Sequence, residues 1–152
     1  MNVSLSNFGK TLDFYPAAEP FGAMPDLVRA LNAGEVETLV ILGGNPVYSA
    51  PADLDWARAQ TKSRSIVRLA SCEDETFEAG TRADDWHLPM AHYLESWGDA
   101  MTSDGRLVSI QPLISPLFGG VTEIEVLARI AGEGATGPYH IVRETFAMRL
   151  RP

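Results

Sequence analysis

A chain of 152 residues with 45% hydrophobic side chains suits one domain with a real buried core. Its 20 acidic and 12 basic residues give a net charge of −8, and the basic ones are scattered, which argues against a nucleic-acid surface. No apolar run approaches a membrane span, so no direct membrane insertion is expected, and the single cysteine excludes an internal disulfide or an iron–sulfur cluster held by these residues alone.

Residues 1–24 carry Pro16, Pro20, Gly22 and the aromatics Phe8, Phe14, Tyr15 and Phe21. They read as an irregular lead-in packed on the domain by its rings. Met1 to Lys10 has no apolar stretch behind basic residues, so it is no secretory signal. Met1-Asn2-Val3-Ser4 leads into polar sequence and Leu150-Arg151-Pro152 closely follows a helical pattern, so the chain is expected to be a piece of a larger protein. Pro25 and Asp26 open a helix with Leu27, Val28 and Leu31 on one face and Gly34 at its end. Thr38 to Leu42 is a strand apolar on both faces, as in parallel sheets covered by helices on both sides.

Pro51-Ala52-Asp53 begins the next helix, with Leu54, Trp56 and Ala57, and Ser65 to Leu69 is the second strand. This strand–helix–strand unit has the usual size of about thirty residues. A short helix over Glu73 to Ala79 and a third strand near Trp86 to Leu88 continue the alternation. After Pro89 the pattern loosens into a turn or short helix over Ala91 to Trp97, a loop over Asp99 to Gly105 and an added strand at Leu107 to Ile110. Pro112, Pro116 and Gly119-Gly120 make a further loop. Thr122 caps an amphipathic helix bearing Ile124, Val126, Leu127 and Ile130, closed by Gly132 or Gly134. Tyr139 to Leu150 is a last helix with Ile141, Val142, Phe146 and Leu150 loosely on one face. The predicted fold class is α/β: a three-layer Rossmann-like domain over residues 25–134, with a mainly parallel sheet and helices on both faces. A lead-in (1–24) and a C-terminal helical segment (135–152) flank it.

The first chemical motif is Gly43-Gly44-Asn45-Pro46, directly after the first strand. Glycines there allow left-handed backbone and close approach of a ligand, and in open α/β sheets ligands sit beyond the C-terminal strand ends. Asn45 offers an amide to a phosphate or ribose, and Pro46 stiffens the turn. A ligand-free βα turn accounts for the same residues. The second motif, Asp74-Glu75-Thr76 beyond the second strand, suits ribose hydroxyls or a guanine edge, while Asp74 equally suits a helix N-cap with Phe77 opening an apolar face. The third group is Asp84, Leu88, Pro89, Glu95, Gly98, Gly105 and Arg106, where an ion pair between Glu95 and Arg106 would order a loop turned by the two glycines.

His87 and His92 lack a helical metal pattern, and Trp86, Tyr93 and Trp97 are expected in core or interface. Lys62, Arg64 and Arg68 are expected to flank a solvated helix end, and Cys72 is expected to be an inert, at least half-buried thiol. No Ser-His-Asp grouping or nucleophile elbow stands out.

In this order and spacing, residues 25–131 resemble one of the pterin-nucleotide-binding domains of the molybdopterin oxidoreductase superfamily. The matching positions are Gly44-Asn45-Pro46, Asp74-Glu75-Thr76, Ala83-Asp84 with Leu88-Pro89, and Glu95, Gly98, Gly105 and Arg106. The stretch 77–83 is about a helical turn longer than in catalytic members. His87-Leu88-Pro89, residues 92–99 and Gln111-Pro112-Leu113-Ile114 look most like the iron–sulfur subunit of alternative complex III, a bacterial quinol:cytochrome c oxidoreductase.

The resemblance implies a piece of an oxidoreductase subunit that is not catalytic alone and binds one guanine dinucleotide arm of molybdopterin guanine dinucleotide. Gly43, Gly44 and Asn45, with Pro46, would serve the phosphates; Asp74, Glu75, Thr76 and Asp84 would serve ribose or guanine. In the alternative complex III branch, the resemblance implies a structural and interaction domain that keeps the fold without the cofactor. The implied partners are the other domains of the parent subunit, iron–sulfur domains and membrane subunits of a respiratory complex. The implied parent is bacterial, membrane-associated and facing the periplasm, and no cofactor is expected on the fragment itself. An independent small nucleotide-binding α/β domain is a third possibility.

Overall fold

The computed structural model describes residues 1–14, 22–80, 82, 84–134 and 136–149. Helix α1 (Met24–Ala33) starts with proline in its first turn. It closes at Gly34, whose φ of 73° lets Gly34 N–H bond the Leu31 carbonyl and Glu35 N–H the Ala30 carbonyl. Strand β1 (Thr38–Leu42) follows, then α2 (Pro46–Ser49) and α3 (Trp56–Gln60). Here the sequence expectation needs correction: the helix expected from Pro51 is a 3-10 turn, Ala52–Leu54, broken from α3 at Asp55, which sits left-handed at φ 44°. The turn α2 was not anticipated.

Strand β2 (Ser65–Ala70), helix α4 (Glu75–Glu78) and strand β3 (Trp86–Pro89) complete the first half. The three strands form a parallel sheet in the order β1-β2-β3, with Leu39 opposite Ile66 and Leu69 opposite Leu88. A separate antiparallel pair joins β4 (Gly98–Met101) to β5 (Leu107–Ile110). The stretch expected as a loop from Asp99 is therefore partly a strand, and the turn shrinks to residues 102–106. Helices α5 (Glu123–Ala131) and α6 (Pro138–Arg149) end the chain. Thr122 caps α5 with a reciprocal bond from Glu125, and Gly132 closes it as Gly34 closes α1. Among the described residues no helix is long and apolar enough to cross a membrane. The chain is thus α/β.

One face of the parallel sheet carries the core. Val28 and Leu31 of α1, Leu39 and Ile41 of β1, Trp56 and Ala59 of α3, and Ile66 of β2 form one cluster. Each large aliphatic side chain buried there is worth about 1.5–3 kcal/mol. Covering of the opposite face is uneven: Leu69 is fully buried, yet Val40 is 37% and Trp86 66% exposed. Strand β1 therefore alternates between buried and exposed positions instead of being covered on both sides.

Trp86 and Tyr93 are exposed, while Trp97 packs edge-on against Tyr139 of α6. In the lead-in, Phe8 and Phe14 stack on each other; Tyr15 and Phe21 lie outside the described residues, as does Leu150. Val142 is the buried residue of α6.

Candidate functional site

The C-terminal ends of β1 and β2 bring the first two motifs together. Gly43 and Gly44 take φ of 68° and 69°, the left-handed backbone expected there. Gly43 N–H bonds the Leu69 carbonyl, which extends the β1–β2 ladder one residue into the turn. Asn45 then caps α2 and faces Asp74-Glu75-Thr76 across the gap. Its amide nitrogen donates to Glu75 Oε2 at 2.6 Å, and its Oδ1 accepts the Thr76 hydroxyl at 2.7 Å and Tyr48 N–H at 3.3 Å. The same Thr76 hydroxyl oxygen accepts Val47 N–H at 3.0 Å. Two N–H groups of α2 are thereby held by protein side chains.

Asp74 is the N-cap of α4 and accepts Thr76 N–H at 2.9 Å and Phe77 N–H at 3.3 Å. Both of its oxygens also take the guanidinium of Arg68, whose Nη2 donates in addition to the Gly44 carbonyl at 3.1 Å. The guanidinium is the pin of the site: it ties β2 to the Gly44 turn and to the start of α4. The Arg68 side chain is 3% exposed and that of Asp74 19%. The paired guanidinium, together with the two backbone N–H groups, holds the Asp74 carboxyl below the usual aspartate range, against the opposing effect of burial. The Asn45 amide likewise lowers the Glu75 carboxyl, which is exposed.

A second layer sits behind. Gln60, fully buried, accepts Trp56 Nε1–H at 2.9 Å and donates to the Thr76 carbonyl at 3.0 Å. It locks α3 to α4 and so fixes Thr76 from beneath. Gly80 lies where a Cβ would come within 3.0 Å of the Gln60 amide and of Ile66. On the outer side of the turn, a Cβ on Gly43 would lie 3.2 Å from Glu123 Oε1 at the start of α5.

The remaining predicted residues are elsewhere. Asp84 is exposed in the turn before β3, and Ala83 lies outside the described residues. Glu95 and Arg106 do not meet. The Glu95 carboxylate accepts His92 N–H at 3.0 Å and Leu117 N–H at 3.1 Å, pinning the 111–120 loop, whereas Arg106 pairs with Asp104 at 3.1 Å. Gly98 begins β4 and Gly105, at φ 82°, makes the β4–β5 turn. Cys72 is exposed, contrary to the expected half-buried thiol, because it follows the last residue of β2 into the loop.

Arg68 was expected beside Lys62 and Arg64 at a solvated helix end, but it is a buried strand residue. One signal for it was available: a cation inside an apolar strand needs a buried anion, and the nearest acids follow within one loop. Gln60 and Glu123 carried no comparable signal. Among the described residues His87 Nδ1 is buried without a hydrogen-bond partner, its ring set edge-on to Phe77 at 5.0 Å.

A cleft continues along the strand ends between Ser71, Met90, His92, Trp97 and Thr122. Beside it Gly120 packs on the Met90–Ala91 backbone so tightly that an added Cβ would stand 2.7 Å from Ala91 N. No protein-family model matches this chain, and no curated protein matches it.

Chemically, the side chains and helix N–H groups around the turn make a poor anion site as they stand. A phosphate needs free N–H groups or a free cation. Val47 and Tyr48 N–H are occupied by Thr76 and Asn45, Arg68 is occupied by Asp74 and Gly44, and the carboxylates of Glu75 and Glu123 stand close by.

Proposed function

We propose that this chain is a structural and interaction domain of the molybdopterin-oxidoreductase type, with a three-layer Rossmann-like plan, from a respiratory quinol:cytochrome c oxidoreductase subunit. In this reading its strand-end turn is held by the chain's own side chains and not by a nucleotide arm. The observation that carries it is the closed network of Asn45, Glu75, Thr76, Asp74 and Arg68, in which the side chains suited to a nucleotide are bonded to one another. The motif order in the sequence supports the family. The iron–sulfur and membrane partners belong to the parent complex, and this domain contributes no redox group.

A second reading, a working guanine dinucleotide site, is favoured by one feature: the left-handed Gly43-Gly44 pair at a strand end, which lines an open groove with Asn45 and Pro46. A nucleotide would then have to displace the Asn45 bonds to Glu75 and Thr76. Among the described residues, Asn45 amide and Asp74 carboxylate are the groups that would hold it.

Calorimetric titration of the chain with guanosine diphosphate separates the two. The scaffold reading expects binding no tighter than about millimolar, roughly 4 kcal/mol. Micromolar binding that is lost in both Asn45→Ala and Asp74→Ala would instead establish a nucleotide site.

A further inference from the structure

The two edges of the parallel sheet are treated differently. On the β3 edge, Val121 N–H bonds the Pro89 carbonyl and Ala91 N–H bonds the Val121 carbonyl, both at 2.9 Å, so the C-terminal end of that edge is closed. On the β1 edge the backbone is open. Glu37 and Gly43 direct their backbone groups to β2, through bonds with Arg64, Ser65 and Leu69, so Thr38, Val40 and Leu42 direct theirs away from the sheet. Among the described residues these outward N–H and C=O groups have no partner. Thr38 to Leu42 contains no charge, no proline and no bulge, the features that ordinarily blunt an edge.

Beside this edge runs a groove. Met24 and Leu27 of α1 border it, 38% and 37% exposed, and Pro46 and Ser49 of α2 close its far end. None of the residues lining it is ionisable. Exposed acids stand beyond both ends instead: Glu35 before β1, where the neighbouring Glu37 is paired with Arg64 at 3.1 Å, and Glu75 across the turn from Asn45.

We propose that the β1 edge is a strand-addition site, which takes an extended segment of another protein as a fourth strand. The occupant has about five uncharged residues paired along Thr38–Leu42, apolar at alternate positions that face Met24 and Leu27, with Lys or Arg at its ends. The open backbone ladder calls for an extended peptide, since side-chain packing alone would leave the outward groups unpaired. The uncharged groove calls for a neutral centre, and the acids at both ends call for basic flanks. A net charge of −8 on each chain disfavours a second copy as the occupant. The groove shares Gly43, Gly44, Asn45 and Pro46 with the strand-end turn, so strand addition here rests on the reading that the turn takes no nucleotide.

The test uses the whole chain, labelled for amide NMR, and a capped peptide of alternating threonine and valine with two lysines at each end. Shifts are expected at Thr38, Val40, Leu42 and Leu27 at submillimolar peptide. Binding should weaken at least tenfold when the peptide is N-methylated at alternate positions, when its lysines become glutamates, or when the chain carries Val40→Lys. The N-methylated peptide keeps the test valid if that variant is poorly folded. Absence of shifts at millimolar peptide, equal binding of the N-methylated form, or shifts centred elsewhere would overturn the proposal. So would sedimentation that finds concentration-dependent dimers abolished by Val40→Lys, because the edge would then serve a second copy.

Discussion

Replacing Asp74 isolates the energetics of the strand-end network. In Asp74→Ala two things are lost: an N-cap accepting from Thr76 and Phe77, and the carboxylate that neutralises Arg68. A lost cap costs about 1 kcal/mol. Leaving a buried charge uncompensated costs about 3–5 kcal/mol, and the lower end applies here because Asp74 stands near the surface and water can reach the vacated place. The sum is roughly 4 kcal/mol, a large share of the stability of a domain this size. Asp74→Asn retains a good cap and should cost about 1 kcal/mol less. Arg68→Met, by contrast, removes the buried charge and leaves an aspartate that can hydrate, so its cost should be less than that of Asp74→Ala. Urea unfolding followed by circular dichroism at pH 7 measures all three. If Asp74→Ala fell within about 1 kcal/mol of wild type, or Arg68→Met proved the more damaging change, the guanidinium would not be the pin of the site and this reasoning would fail.

The same pair sets a pH dependence. The Asp74 carboxyl is lowered in the folded chain, so its contribution is complete above the unfolded aspartate value of about 3.9 and fades as pH falls through the lower folded value. The stability gap between wild type and Asp74→Asn should therefore narrow in acid and stay constant between pH 6 and 8; a gap that widens in acid would reverse the assignment. Gly120→Ala should cost more than about 2 kcal/mol, because the neighbours of the new methyl are the Met90 and Ala91 backbone and cannot swing aside. Gln60→Leu should cost about 2–4 kcal/mol by orphaning Trp56 Nε1–H and the Thr76 carbonyl, and the change should appear in Trp fluorescence as a wetter Trp56. Cys72, being exposed, should react fully with a thiol reagent in the native chain; protection until unfolding would contradict its placement.

Local signals carried the elements that were legible in the sequence. Helix α1 shows its proline, its apolar face and Gly34, and α5 shows Thr122, Glu125 and Gly132; these are chemical stops and starts that need no tertiary partner. Strands β1 and β2 show as apolar runs bounded by turn residues. Strand β4 was hidden because Gly98-Asp99-Ala100-Met101 has little strand preference of its own and is held by pairing with Leu107–Ile110. The break at Asp55 was hidden for the converse reason: the residues on either side favour helix, and a left-handed residue between them is decided by packing.

At the site, the two motifs were legible as positions but not as partners. Asn45 and Thr76 meet across 31 positions only because the register sets Leu42 beside Leu69. Glu95 and Arg106 seemed a natural pair in sequence, yet the β4–β5 hairpin separates them and gives Arg106 to Asp104.

The most direct measurement on the central claim is native-state hydrogen exchange at Val47 and Tyr48 in the chain without added nucleotide. Both amides sit in a four-residue helix that would fray by itself, and each is bonded to a side chain, Val47 to Thr76 Oγ1 and Tyr48 to Asn45 Oδ1. Strong protection of both, with Val47 falling to unprotected rates in Thr76→Val, is the result expected of a self-held turn; Tyr48 should lose only part of its protection in Asn45→Ala, because its N–H also bonds the Asn45 backbone carbonyl at 3.1 Å. Fast exchange of both amides in the free chain, with protection appearing only on addition of guanosine diphosphate, would contradict it.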